Sequence, residues 1–112
     1  MNYKTETLVS GLAFGEGPRW KDGRLYYSDM HRCVVESVDE SGSVELVCRV
    51  EQSPSGLGWL PDDGAADAGR MLVVSMRDRR LLRLDPDGLV EVADLSSLAT
   101  WHCNDMVVDE QG

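Results

Sequence analysis

The chain has 112 residues, and its 20 Asp and Glu against 11 Lys and Arg give a formal net charge of −9. A chain of this length forms at most one small domain, and 42% hydrophobic with 28% charged residues is typical of a globular protein rather than a disordered or fibrous one. The acidic balance argues against nucleic acid as a partner, because phosphate binding needs a concentrated basic face.

Two further features of the composition concern the cellular setting. No apolar stretch reaches the length of a membrane span, so we predict a cytoplasmic protein with no membrane partner. The three cysteines, Cys33, Cys48 and Cys103, are odd in number and widely spaced. This pattern predicts reduced thiols rather than a disulfide framework or a zinc site.

The predicted elements follow an internal repeat. Residues 25–42 align without a gap with residues 71–88 at an offset of 46, and the alignment continues so that Val44 falls on Val90. Each copy is predicted to contain short apolar or β-branched strands separated by turns. In chain order these strands cover residues 25–28, 34–38 and 44–47 in the first copy, and 71–75, 81–84 and 90–93 in the second.

A fourth, inner strand precedes each copy. Residues 17–20 match residues 56–59 at an offset of only 39, because the second copy carries an insertion at residues 61–69. The insertion is rich in Gly, Ala and Asp, and we predict a mobile surface loop. A third inner strand is predicted at residues 105–108, followed by a turn at residues 109–112.

Four strands in a repeat of roughly 40 to 46 residues are typical of a β-propeller blade. We therefore predict an all-β fold with blade 1 at residues 14–50, blade 2 at residues 54–95 and the start of blade 3 at residues 103–112. A propeller needs roughly four to eight blades to close. The expectation is that the chain is the N-terminal part of a longer propeller, or a truncated gene product.

Two short segments carry candidate functional residues. Glu16 lies between two glycines at the start of the first inner strand, and Asn104 and Asp105 occupy the same level of the third repeat, just after His102. Oxygen donors at equivalent strand starts would converge on one axis and suit Ca²⁺ or Mg²⁺. The alternatives are a solvated Glu16 in a surface turn, an Asx cap at residues 104–105 and a hydrogen-bonded polar role for His102.

Four motifs resemble the family of gluconolactonase, senescence marker protein and luciferin-regenerating enzyme, in the family's order and spacing. They lie at residues 14–20, 23–29, 55–59 and 103–109. The resemblance implies a six-bladed propeller with one divalent cation at its axis, commonly Ca²⁺, with Zn²⁺ and Mg²⁺ as alternatives. Many members of this family hydrolyse sugar lactones.

The resemblance also implies roles for individual residues. Glu16 matches the family's first metal-ligating glutamate, and Asn104 matches the asparagine that binds the metal or the substrate beside it. His102 stands where some members have an arginine that holds a sugar lactone, and Asp105 follows as in the family, so both are expected to bind substrate. The remaining metal ligands and the general base are expected beyond Gly112, which leaves no catalytic base within the chain.

The function predicted from these residues is metal-dependent hydrolysis of a small sugar lactone, incomplete in this chain. One alternative is an ester or phosphotriester hydrolase of the same fold, and another is a non-enzymatic binding or assembly module. Open blade faces also predict self-association of the chain.

Overall fold

The computed structural model describes residues 1–112 as two antiparallel sheets of four strands each. The first sheet contains β1 (Gly15–Lys21), β2 (Arg24–Asp29), β3 (Val34–Asp39) and β4 (Val44–Arg49). The second contains β5 (Pro54–Trp59), β6 (Met71–Ser75), β7 (Arg80–Asp85) and β8 (Gly88–Asp94). The regular elements are all strands, which confirms the all-β prediction, and within each sheet they lie in chain order. The chain has no helix with the length and apolar surface that crossing a membrane requires.

The central hairpins of the two sheets have the same register. Tyr27 pairs with Glu36 between β2 and β3, and Val73 pairs with Leu82 between β6 and β7, so both strands follow the predicted offset of 46 residues. All five residues of β6 are buried, as expected of a strand covered on both faces. The repeat in the sequence is therefore a repeat of strand pairing.

The outer strands depart from the predicted alignment. Val38 pairs with Val44 in the first sheet, but the equivalent Leu84 pairs with Leu89 rather than with Val90. The predicted match of Val44 with Val90 is therefore wrong by one residue. The cause is the tighter turn between β7 and β8, where the sequence Asp-Pro-Asp-Gly at residues 85–88 closes a short β-turn.

The inner strands repeat at the shorter offset, as predicted. Gly15 pairs with Asp29 in the first sheet, and Pro54 pairs with Ser75 in the second. Both ladders contain an irregularity just after this pair, which bends the start of β1 and of β5 out of the regular ladder.

The insertion at residues 61–69 forms a compact surface loop between β5 and β6. The amide of Leu60 donates to the carbonyl of Arg70 at 2.9 Å and closes its base, and Asp67 pairs with Arg83 of β7 at 3.2 Å. Most of its residues are exposed, in agreement with a surface loop. Its mobility stays a prediction.

Residues 105–108 form no strand, so the predicted third inner strand is wrong in that respect. A strand needs a partner that offers successive hydrogen bonds, and residues 105–108 form no backbone–backbone hydrogen bond with another strand. The segment nevertheless packs on β5, because a Cβ built on Gly58 would lie 2.6 Å from Val108 Cγ2. The turn predicted at residues 109–112 is present, with a 3.1 Å bond from the amide of Gly112 to the carbonyl of Asp109.

The core lies where the two sheets face each other. Val35 of β3, Leu57 of β5 and Val73 of β6 are at most 1% exposed, and Val50 and Met71 complete the cluster. Burial of one such side chain contributes about 2 kcal/mol. The core therefore ties β5 and β6 to the first sheet.

The three cysteine thiols are free and half-buried. Burial raises the pKa of the Cys48 thiol to about 11, so this group is protonated and poorly nucleophilic at neutral pH.

Candidate functional site

The candidate site is built from the starts of three consecutive repeats. Glu16 and Ser55 hold equivalent positions in β1 and β5, and Asn104 holds the same position in the third repeat. The hydroxyl of Ser55 donates to Asn104 Oδ1 at 2.6 Å, while the carbonyl of Ser55 accepts a 2.7 Å bond from the hydroxyl of Ser28. Ser55 is 1% exposed and connects the first sheet to the third repeat. A carboxylate, a hydroxyl and an amide thus occupy the starts of three successive repeats.

Two glycines bring these strand starts into close contact. Gly17 has a positive φ of 57°, and a Cβ built on it would lie 2.8 Å from the carbonyl oxygen of Ser55. A Cβ built on Gly56 would lie 2.8 Å from both Asp105 Oδ1 and the amide nitrogen of Met106. No larger residue fits at either position without moving the neighbouring backbone. The glycines next to Glu16 and Ser55 therefore determine how closely the three repeats approach.

The segment that leads into β1 is held by a buried carboxylate. Asp29 has a fully buried side chain, and its oxygens accept bonds from the amides of Ala13 at 2.8 Å, Phe14 at 3.0 Å and Arg32 at 3.2 Å. Burial alone would raise the pKa of Asp29, but these amide donors and the Arg32 guanidinium lower it below its usual value. Asp29 is therefore a positioning residue for the segment ahead of Glu16.

Sequence reasoning assigned no role to either Ser55 or Asp29. Ser55 lies in a run of small residues without charge, and its partner is 49 residues away. The available signal was its alignment with Glu16 and Asn104 in the repeat. For Asp29 the signal was an acid at the end of a strand whose middle residues, Leu25, Tyr26 and Tyr27, are apolar or aromatic.

Asp105 is engaged with a residue of the first sheet. Its Oδ1 accepts a bond from Arg19 Nη2 at 2.9 Å, and the same guanidinium donates to the carbonyl of Met106 at 3.2 Å. The pair is partly exposed, so its net stabilisation is small. Its geometric effect is to tie the third repeat to β1 as well as to β5.

His102 lies apart from this row, in a polar cleft. Its ring stacks on Trp101 with a centroid distance of 5.3 Å and an interplanar angle of 26°. The cleft has a volume of about 210 Å³ and is completed by Arg77, Arg79 and Thr100. The structure therefore places His102 in one cleft with two arginines to which the sequence analysis assigned no functional role.

A larger groove lies on the other side of Asn104 and Asp105. It has a volume of about 580 Å³, and most of its lining is apolar, with Leu72, Val74 and Leu81 on the sheet and Met106 and Val107 on the third segment. The groove lies between the second sheet and the segment at residues 103–112.

The starts of the three repeats carry few oxygen atoms that could bind a cation. No three His, Cys, Asp or Glu side chains lie together anywhere in the chain. Glu16 forms no ion pair, and Asn104 Oδ1 is already bonded to Ser55 but keeps a second lone pair. Their free oxygen atoms are of the donor type that a hard cation prefers.

Comparison with known proteins links this arrangement to a family. Neither curated proteins nor solved structures gave a match to the chain. Among protein families, the SMP-30/Gluconolactonase/LRE-like region matches residues 14–112. This span includes both sheets and the starts of the three repeats, which carry Glu16, Ser55 and Asn104. The chain therefore belongs to the SMP-30/gluconolactonase/LRE-like family.

Proposed function

We propose that the chain forms two blades and the start of a third in a six-bladed propeller. Blade 1 spans residues 14–50, blade 2 spans residues 54–95, and the third begins within residues 103–112. The repeated register of the two sheets supports this arrangement. So does the packing of residues 105–108 on β5, because inner strands of neighbouring blades lie side by side around a propeller axis.

We propose further that the function is metal-dependent hydrolysis of a small sugar lactone, with Ca²⁺ as the preferred cation and Zn²⁺ or Mg²⁺ as alternatives. Glu16 and Asn104 would hold the cation, and His102, Asn104 and Asp105 would contact the lactone. The observation that carries the proposal is the continuous contact from Gly17 through Ser55 to Asn104, in a chain of this family.

Each residue would contribute a distinct step. When bound, a divalent cation polarises a lactone carbonyl and lowers the pKa of a bound water. Glu16 supplies the negative charge that attracts the cation. Ser55 holds Asn104 Oδ1, so the amide group is oriented and its N–H donors remain available for a substrate oxygen. Asp29 keeps the segment before Glu16 in place. We assign no general base among these residues.

Calorimetric titration of the chain with Ca²⁺ tests the metal site. Two oxygen-bearing side chains predict weak binding, with a Kd of roughly 10⁻⁴ to 10⁻³ M. Glu16→Gln removes the charge with little change in volume and should abolish this binding. Glu40→Gln is the matched control, because Glu40 is an exposed turn residue without an ion pair. Equal Ca²⁺ affinity in the two variants would contradict the assignment of Glu16.

Hydrolysis assays test the reaction class. With saturating Ca²⁺ we expect turnover of gluconolactone above the buffer rate but below about 10 per second, the median of complete enzymes. Glu16→Gln should remove this Ca²⁺-dependent rate. A phosphotriester hydrolysed faster than the lactone would favour the alternative hydrolase. Ca²⁺ binding without hydrolysis of either substrate would favour a binding module.

A further inference from the structure

The cleft beside His102 differs from the rest of the surface in its charge. Most cationic side chains of this acidic protein pair with a carboxylate. The exceptions are Lys4, Arg49, Arg77 and Arg79. Two of these four, Arg77 and Arg79, line the same small cleft, and no carboxylate lines it. Of the acids near these arginines, Asp78 accepts a 2.6 Å bond from the hydroxyl of Ser75, and Asp94 pairs with Arg80 but also interacts with Arg79 through its charge.

Backbone hydrogen bonds hold the two segments that line the cleft. The amide of Arg77 donates to the carbonyl of Gln52 at 3.0 Å, and the amide of Cys103 donates to the carbonyl of Met76 at 3.3 Å. The Arg79 guanidinium is fixed by a 3.0 Å bond to the carbonyl of Ala99. The β6–β7 turn and the segment before Asn104 therefore form one unit. Within it the side chain of Arg77 is exposed and makes no hydrogen bond or ion pair with the protein.

The wall of the cleft is aromatic. Trp101 and His102, whose rings stack on each other, line the cleft together with Arg77 and Arg79. Guanidinium groups bind carboxylates and phosphates through paired N–H donors, and aromatic faces pack against the C–H faces of sugars. A sugar that carries an acidic group fits both surfaces together. A neutral sugar would leave the guanidinium groups unused.

We propose that Arg77, Arg79 and the Trp101–His102 pair bind the anionic group of an acidic sugar, a carboxylate or a phosphate, and so select an acidic lactone as the substrate. The inference rests on the proposed function for the reaction itself, but the cleft binds its anion without the metal. His102 is two residues before Asn104, so the bound sugar would extend from the cleft toward the strand starts. Arg77 and Arg79 are specificity residues in this scheme and take no part in the chemistry.

Amide NMR titrations in the presence of a metal chelator test this binding directly. The ligands are glucuronate, glucose 6-phosphate and neutral glucose. We expect either acidic sugar to shift the amide signals of residues 77–79 and 100–103, and the acidic sugar that binds more tightly identifies the group preferred. Glucose should produce no shifts there at the same concentration.

Two arginine variants provide the matched comparison. Arg77→Gln removes a charge that makes no ion pair with the protein, and it should weaken binding of the acidic sugar by about tenfold. Arg49→Gln removes an exposed, unpaired arginine outside the cleft and should leave binding unchanged. Equal binding of glucose and glucuronate, or equal affinity in the two variants, would overturn the inference. Intact binding without lactone hydrolysis would instead count against the proposed function alone.

Discussion

At the residue scale, Asp29 makes the stability of the fold depend on pH. Its lowered pKa means that the ionised form is favoured by folding, so its contribution is present above the pKa of the unfolded chain, about 3.9. That contribution is lost as the pH falls through the lower pKa of the folded state. Acidification therefore loosens the segment before Glu16 together with the fold.

The substitution Asp29→Asn should destabilise the protein by about 2 kcal/mol at pH 7, because a buried amide donor loses its acceptor. The difference from wild type should begin to shrink below about pH 4, where Asp29 of the unfolded chain takes up a proton, and should shrink further as the pH falls through the lower pKa of the folded state. Urea unfolding at pH 7 and pH 3 measures both effects. Asp87→Asn, at an exposed residue of the β7–β8 turn, is the control and should change little. A destabilisation of the same size at both pH values would refute the role of the charge.

The Ser55 hydroxyl orients Asn104, and two alanine substitutions isolate this effect. Ser55→Ala removes the 2.6 Å bond and should weaken Ca²⁺ binding several-fold while costing about 1 kcal/mol of stability. Ser53→Ala is the matched control, because the buried Ser53 hydroxyl has no hydrogen-bond partner and its loss should not be destabilising. Unchanged Ca²⁺ affinity after Ser55→Ala would show that Asn104 needs no such support.

At the element scale, Gly56 sets the contact between β5 and the third segment. Gly56→Ala would place a Cβ against backbone and carboxylate atoms at 2.8 Å, and we expect residues 103–108 to detach from β5. Hydrogen exchange at the residue 56 amide, which donates to the carbonyl of Asn104 at 3.0 Å, should accelerate. In the control variant Gly15→Ala the new Cβ would lie 3.3 Å from only one flexible side-chain atom, Leu12 Cδ1, so this exchange should be unchanged. Slow exchange in both variants would mean that the segment tolerates the clash.

Most strands could be predicted from the sequence because both copies carry the same apolar pattern. The register of β8 could not be predicted, because it depends on the length of the β7–β8 turn, and the apolar pattern does not reveal that length. The missing strand at residues 105–108 has the pattern of a strand but no bonding partner. Within the candidate site, the repeat predicted that Glu16 and Asn104 occupy equivalent positions in the first and third repeats. The bond between Arg19 and Asp105 joins residues 86 positions apart and leaves no periodic signal.

At the scale of the whole molecule, the groove over the second sheet exposes apolar surface. Val107 at its edge is 91% exposed. Such a surface favours association, and we expect a second copy of the chain to cover it as the concentration rises. Val107→Asp should shift the protein toward the monomer in sedimentation velocity. Leu98→Asp, at a residue 82% exposed but outside the groove, should not. A wild-type protein that stays monomeric at high concentration would contradict this expectation.

The central claim is that Glu16 and Asn104 serve one cation, and paramagnetic broadening by Mn²⁺ tests it most directly. At substoichiometric Mn²⁺ the amide signals of residues 16, 55 and 104 should broaden together and before all others. Excess Ca²⁺ should reverse the broadening, and Glu16→Gln should remove it. Broadening of the Glu16 amide signal without that of Asn104, or broadening confined to the acidic loop at residues 61–69, would contradict a cation site shared by Glu16 and Asn104.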